Sequence, residues 1–352
     1  MRNENPTLVI LSPGFPAGET DSTCLPMQQA LVRSLKESYP GLTIIVLAFQ
    51  YPFIKSLYKW HEVEVISMNG REKGGLLRRL VWLRVRNKLK LVNQQHTVIG
   101  LLSFWCGECA FVGKRFAAKK GIPHYCWIMG QDARPGNKYV KRMKPEAGEL
   151  VAISDFLQER FHRNYGILPE RVIPPGISTA LFSDNLFRRE IDILGVGSLI
   201  PLKQFHIFLE IVEAIRKSFP ALKTVICGKG PEKNNLHRQI REMQLENHVT
   251  LMGELPHTEV LQLMQRSRIL LHPSSYEGFS GVCLEALYAG AQVISFQKAM
   301  QEVIPHWHIV SSMDEMKRKT LELLQPGAFS NEPVLYNRIE NTAKMIMDLF
   351  GH

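Results

Sequence analysis

The chain has no long apolar run. Its longest compact one, Val98 to Cys106, falls well short of the ~20 residues a spanning helix needs, so any membrane contact is expected to be peripheral. No secretory leader is visible either, because Met1 to Asn5 lead straight into the strand-like Leu8–Leu11, and a cytoplasmic location is expected. Six cysteines in 352 residues are too few and too scattered for a disulfide framework. Cys106-Gly107-Glu108-Cys109 is a C-x-x-C, but no second ligand pair accompanies it, and reduced thiols beside a core are expected. An Asp-x-Asp motif and any His/Cys cluster with ligand spacing are also missing, so neither a metal nor another cofactor is expected.

What is present describes a globular protein: 45% hydrophobic and 22% charged residues, in a length that suits two domains better than one. Apolar runs alternate with helix-length amphipathic stretches, the pattern of parallel sheets flanked by helices in an α/β fold. The first half offers strands at Leu8–Leu11, Thr43–Ala48, Thr97–Leu102, His124–Ile128 and Leu150–Ile153. The second offers Ile191–Val196, Thr224–Cys227, Val249–Met252, Ile269–His272 and Gln292–Phe296. Helices are predicted over Gln204–Lys217, Asn234–Met243, Thr258–Gln265 and Val282–Tyr288, and a closing one over Leu335–Phe350 after the Pro326-Gly327 break. Val172-Ile173-Pro174-Pro175-Gly176-Ile177 has the character of a domain boundary, dividing 1–175 from 176–330.

Charge divides the same way. The first 175 residues carry 25 Lys and Arg against 14 Asp and Glu, and the remainder 18 against 19, so the two halves are expected to meet different partners. From Arg71 to Lys90 eight bases stand against the single acid Glu72, interleaved with Leu76, Leu77, Leu80, Trp82 and Leu83. The stretch suits an interfacial helix on an anionic membrane; it equally suits a domain helix that packs its leucines on the sheet. Nucleic acid is not expected, since no recognition module accompanies the charge.

The richest segment is Tyr276-Glu277-Gly278-Phe279-Ser280-Gly281-Val282-Cys283-Leu284-Glu285-Ala286-Leu287. A strand, a glycine turn and a helix start present main-chain N–H groups at the carboxyl edge of a sheet, where an open α/β sheet binds phosphorylated ligands. The two carboxylates add acceptors for sugar hydroxyls. Gly195-Val196-Gly197-Ser198 follows another strand, with Lys203 at the next helix start; glycine admits phosphate close to backbone and lysine supplies a point charge. As a dinucleotide fingerprint this run is incomplete, because Ile200 occupies the third glycine position and the next strand ends at Cys227-Gly228 without an acid.

The stretch from Leu270 to Ile294 resembles the E-x7-E region of retaining GT-B glycosyltransferases, glycosyl transferases group 1 or family 4. That resemblance implies two Rossmann-like domains facing across a cleft, the first (1–175) holding the acceptor, the second (176–330) the nucleotide-sugar donor, with a closing helix (331–352) crossing back to the first. It implies that Glu277 reaches the donor sugar and Glu285 the ribose, with Gly278 and the N–H groups of Phe279 and Ser280 near phosphate. Lys203 and Gly197 match the diphosphate element, but Ser198 stands where an arginine is usual; Lys223 or Lys229 are candidates to replace that charge. Gly228 and Gly230 resemble the family's Gly-x-Gly turn, and Glu254-Leu255 the loop that meets the base. Met129 replaces a histidine near the donor sugar, which leaves Asp132 as the nearest acid, either touching a substrate hydroxyl or capping a turn. The implied reaction transfers sugar with retention and without metal, to a glycan or lipid-linked acceptor of cell-surface polysaccharide synthesis. A non-catalytic nucleotide-sugar-binding scaffold, motivated by Ser198 and Met129, and an epimerase or hydrolase on the same fold remain open alternatives.

Overall fold

The computed structural model describes residues 3–185 and 187–352, which divide into two compact units: Met1–Gly176 with Ile339–His352, and Ile177–Arg338.

The first unit is built on strands β1 (Asn3–Gly14), β2 (Thr43–Tyr51), β3 (Leu57–Trp60), β4 (Val63–Ser67), β5 (His96–Phe104), β6 (His124–Ile128), β7 (Leu150–Ala152) and β8 (Arg171–Val172). They form one sheet in the order β3-β4-β2-β1-β5-β6-β7-β8. All neighbours pair in parallel except β3 and β4. The central strands are continuous apolar runs because both faces are covered: Leu8, Val9, Ile10 and Leu11 are fully buried, as are Ile45 to Phe49. The covering helices are α1 (Pro26–Ser38), α2 (Gly75–Gln95), α3 (Glu108–Lys120), α4 (Lys138–Met143) and α5 (Asp155–Tyr165).

The second unit has strands β9 (Ile191–Val196), β10 (Thr224–Cys227), β11 (Val249–Gly253), β12 (Ser267–His272), β13 (Gln292–Ser295) and β14 (Trp307–Ile309). Its sheet is parallel throughout, in the order β11-β10-β9-β12-β13-β14. This is the doubly wound order, in which the chain reverses direction between its first and fourth strands. Helices α6 (Phe205–Ile215), α7 (Lys233–Glu242), α8 (His257–Gln265), α9 (Gly281–Tyr288) and α10 (Met313–Leu324) connect them. Helix α6 shows why these stretches are helical: Phe205, Phe208, Leu209, Val212 and Ile215 recur every three or four residues and are buried together.

The closing segment expected over 331–352 is divided between the units. Only Ile339–Asp348 is helical (α11), because the chain before it is held extended against the second unit. There Val334 N–H donates to Leu287 O at 3.0 Å and Ile177 N–H to Asn337 O at 2.9 Å. Beyond that point Thr342 Oγ1 donates to Pro174 O. Phe350 lies so close to Gly100 on β5 that a Cβ there would sit 2.2 Å from the ring.

Candidate active site

In the second unit the loops after β9 and β10 interlock through main chain. Gly228 has φ +153°, and a Cβ on it would lie 1.8 Å from Gly197 O; one on Gly230 would lie 2.3 Å from Leu199 O. Only glycine admits that approach. Leu199 N–H donates to Lys229 O at 2.8 Å, and Glu232 N–H to Leu199 O at 3.0 Å. A single tight turn, Pro201–Lys203, then carries Lys203 back over Gly197. The loop after β12 is tied to that turn, because Ser275 N–H donates to Leu202 O at 3.0 Å and the Ser274 hydroxyl reaches the same oxygen.

These ties bring Lys203 and Glu277 together at the carboxyl ends of β9 and β12, the point where the strand order reverses. The Lys203 ammonium donates to Glu277 Oε1, and His272 Nε2 stands 3.1 Å from that oxygen. All three side chains are largely covered: Lys203 is 17% exposed, Glu277 18% and His272 4%. Burial alone would push the Glu277 carboxyl up. The His272 hydrogen bond and the Lys203 charge outweigh it and hold the group at about 2. Burial lowers His272 and the Lys203 charge lowers it further, against the pull of Glu277; a carboxylate only accepts, so the hydrogen of this bond belongs to Nε2. One ammonium hydrogen is engaged by Glu277, and two remain for an incoming anion.

Glu285, in the middle of α9, is held separately. His257, the first residue of α8, lies with Nε2 2.7 Å from Glu285 Oε1. Burial lowers this histidine, but the hydrogen bond and charge of Glu285 more than reverse that and raise it. Between the two acids, Gly278 is buried and Phe279 is packed on Tyr336 and Trp307. Ser280 occupies the N-cap position of α9 without capping it; its hydroxyl faces His272 Nε2 at 3.5 Å instead. In the first turn of α9, Cys283 N–H turns back to Ser280 O at 3.1 Å, and the N–H groups of Gly281 and Val282 receive no capping side chain from Ser280.

The remaining sequence candidates are placed less centrally. Ser198 is exposed on the turn after Gly197. Lys223 precedes β10 and so sits at the amino edge of the sheet, about 13 Å of strand from the carboxyl edge; it cannot stand in for a cation beside Ser198. Lys229 is at the correct edge, but its ammonium pairs with Glu254 at 2.5 Å, which accounts for Glu254 as a surface ion pair. Leu255 directs its main-chain N–H at the Cys227 thiol. Sequence reasoning missed His272 and His257. The one available signal was position: His272 ends a buried strand five residues before Glu277, and His257 opens a helix just after the Glu254-Leu255 loop.

Asp132 belongs to the first unit, where it lines a cavity of about 390 Å³ with Pro13, Trp105, Glu108, Gln131 and Asn137. This cavity lies at the carboxyl ends of β1 and β5, the reversal point of that sheet. Asp132 is 3% exposed and its Oδ2 accepts Met129 N–H at 2.8 Å, so it braces its own turn. Burial pushes its carboxyl up to about 7, against the pull of main-chain hydrogen bonds from Met129 and Cys106. Met129 is itself buried, its sulfur 3.9 Å from Gln28 Nε2. Among the described residues no group of three or more His, Cys, Asp or Glu is placed to hold a metal ion.

A family model described as Glycosyl transferases group 1 matches residues 178–325. The phosphatidylinositol N-acetylglucosaminyltransferase gpi3 subunit of Schizosaccharomyces pombe is 25% identical over 229 residues, 63% of this chain and 49% of that protein. A glycogen synthase of Mycobacterium tuberculosis is 26% identical over 205 residues, 57% and 49% of the two. The chain thus spans about half the length of the curated relatives it matches. Among solved structures, Anabaena Alr3699/HepE in complex with UDP and glucose superposes with a TM-score of 0.72 at 16% identity, over 97% of this chain and 99% of that one. The shared fold is the GT-B fold.

Proposed function

From the match of residues 178–325 to the family model described as Glycosyl transferases group 1, we propose that this chain moves a sugar from a nucleotide-sugar donor to a hydroxyl acceptor. The observation that carries the reading is the Lys203–Glu277–His272 cluster at the β9/β12 reversal point. Cleaving a donor leaves charge on its diphosphate, and fixed N–H groups and a cation must meet that charge where it develops. Lys203 and the first turn of α9 offer both. Glu277, kept ionised and oriented by two donors, accepts from the sugar hydroxyls; Glu285, oriented by His257, accepts from the ribose.

The chemistry we infer is front-face transfer with retention. The bond from the anomeric carbon to the phosphate oxygen breaks, a bond to the acceptor oxygen forms on the same face, and the acceptor proton passes to the departing phosphate. Lys203 and the α9 N–H groups take the charge role without a resident metal. The acceptor is a glycan or a lipid-linked intermediate of cell-surface polysaccharide synthesis, held by the first unit at the inner face of the cytoplasmic membrane. Lipid-handling among the relatives, such as the phosphatidylinositol-modifying subunit, supports that class.

The test is incubation of purified protein with a panel of nucleotide sugars and membrane-extracted or soluble glycan acceptors. Acceptor-dependent release of nucleoside diphosphate supports transfer. Release without acceptor points to a hydrolase or epimerase, and binding without turnover to a scaffold.

A further inference from the structure

Helix α2 is held to its unit by one face. Val81, Val85, Leu89 and Val92 are buried, Trp82 Nε1 donates to Glu108 Oε2 at 2.8 Å, and the indole leans on Phe111 with centroids 5.1 Å apart. On the outer side Leu76 is 76% exposed, and Leu80, Leu83 and Leu91 are 47%, 47% and 46% exposed. At about 100° per residue these four fall on one stripe. Arg79, Arg86 and Lys90 run along one border of it, and Arg84 and Lys88 along the other. Single exposed leucines are ordinary, but a contiguous stripe between two rows of cations marks a surface built for an apolar, anionic partner.

The row on the α3 side continues into a groove. Between α2 and α3 lies a cavity of about 720 Å³ whose floor is Trp82, Phe111 and Phe116. Arg79, Arg86, Lys90, Arg115, Lys119 and Lys120 surround it and no acid lines it. The Trp82–Glu108 bond fixes the two helices against each other, so the groove is preformed. Guanidinium and ammonium groups over an aromatic floor match a phosphate joined to an apolar body.

We propose that the α2–α3 groove receives the phosphate headgroups of acidic phospholipids, with α2 lying flat on the bilayer and its leucine stripe at the level of the upper acyl chains. The occupant is the anionic bilayer itself. Its depth is set by Leu76, Leu80, Leu83 and Leu91, and its preference for acidic lipid by the groove. This builds on the membrane placement proposed above, but its readout needs neither donor nor transfer.

The test is sedimentation of the full chain with vesicles of phosphatidylcholine alone or mixed with phosphatidylglycerol. Wild type binds the mixed vesicles and releases as salt is raised. The Leu76→Gln/Leu80→Gln/Leu83→Gln variant binds them at least about tenfold more weakly with unchanged thermal melting, since these side chains are already exposed. Arg79→Gln/Arg86→Gln/Lys90→Gln loses roughly 100-fold and with it the preference for acidic lipid. Failure of wild type to bind overturns the membrane placement. Wild-type binding retained by the leucine variant overturns the α2 proposal and leaves a surface that holds any polyanion by charge alone.

Discussion

His257 Nε2 stands 2.7 Å from Glu285 Oε1 and joins the first turn of α8 to the middle of α9. Because the partner raises the histidine above its ordinary value, the imidazolium–carboxylate pair stabilises the fold below about pH 6.5, and the contribution is lost as pH rises through the folded-state value. His257→Gln should therefore cost about 1–2 kcal/mol at pH 6 and progressively less as pH rises through the raised folded-state value. Urea denaturation across that range checks it; a cost independent of pH would contradict the pairing.

Glu277 runs in the opposite direction. Its carboxyl is held at about 2, so it adds stability above its unfolded value near 4.5, and that contribution fades as pH falls toward 2. Glu277→Gln leaves the Lys203 ammonium covered and unpaired, at a cost of about 1–3 kcal/mol at pH 7. The same substitution should lower transfer by roughly 100-fold or more, whereas Glu277→Asp should recover part of the stability and little of the rate. Denaturant midpoints and initial rates on the three proteins separate the two effects.

The interlock of the β9 and β10 loops predicts its own failure. Gly228→Ala puts a Cβ 1.8 Å from Gly197 O at a φ that side chains rarely adopt, and should destabilise the second unit by at least about 2 kcal/mol. Gly253→Ala, where φ is +80° and a Cβ meets nothing within 4 Å, should cost only the conformational strain, about 1 kcal/mol. Calorimetric melting of the two variants distinguishes close approach from backbone strain.

Asp132 offers a spectroscopic check. With its carboxyl pushed to about 7 by burial, it carries a proton in the folded state through weakly acidic pH, and stability falls as pH rises from its unfolded value toward 7. Infrared difference spectra should show a protonated carboxyl band that titrates near neutrality and vanishes in Asp132→Asn.

The sheets were legible in the sequence because parallel strands covered on both faces read as unbroken apolar runs, and His124–Ile128, Ile191–Val196 and Thr224–Cys227 keep their expected bounds. The β3–β4 hairpin was not legible. Its two-residue turn is His61-Glu62, both at positive φ, where the usual Asn-Gly or Asp-Gly signal is absent. The start of α11 was misplaced at Leu335 because hydrogen bonds to Leu287 and Ile177 override local helical pattern. In the candidate site, Glu277, Glu285 and Lys203 stood out through motif spacing. Their histidine partners did not, since a single histidine at a strand end or helix start becomes informative only when the fold supplies what it faces.

Uridine diphosphate titrated calorimetrically into wild type and Lys203→Ala tests the central claim most directly. The account predicts binding to wild type and a loss of roughly 10–100-fold in the variant, with circular dichroism unchanged. Equal affinity in the two proteins would contradict a diphosphate site built around that ammonium.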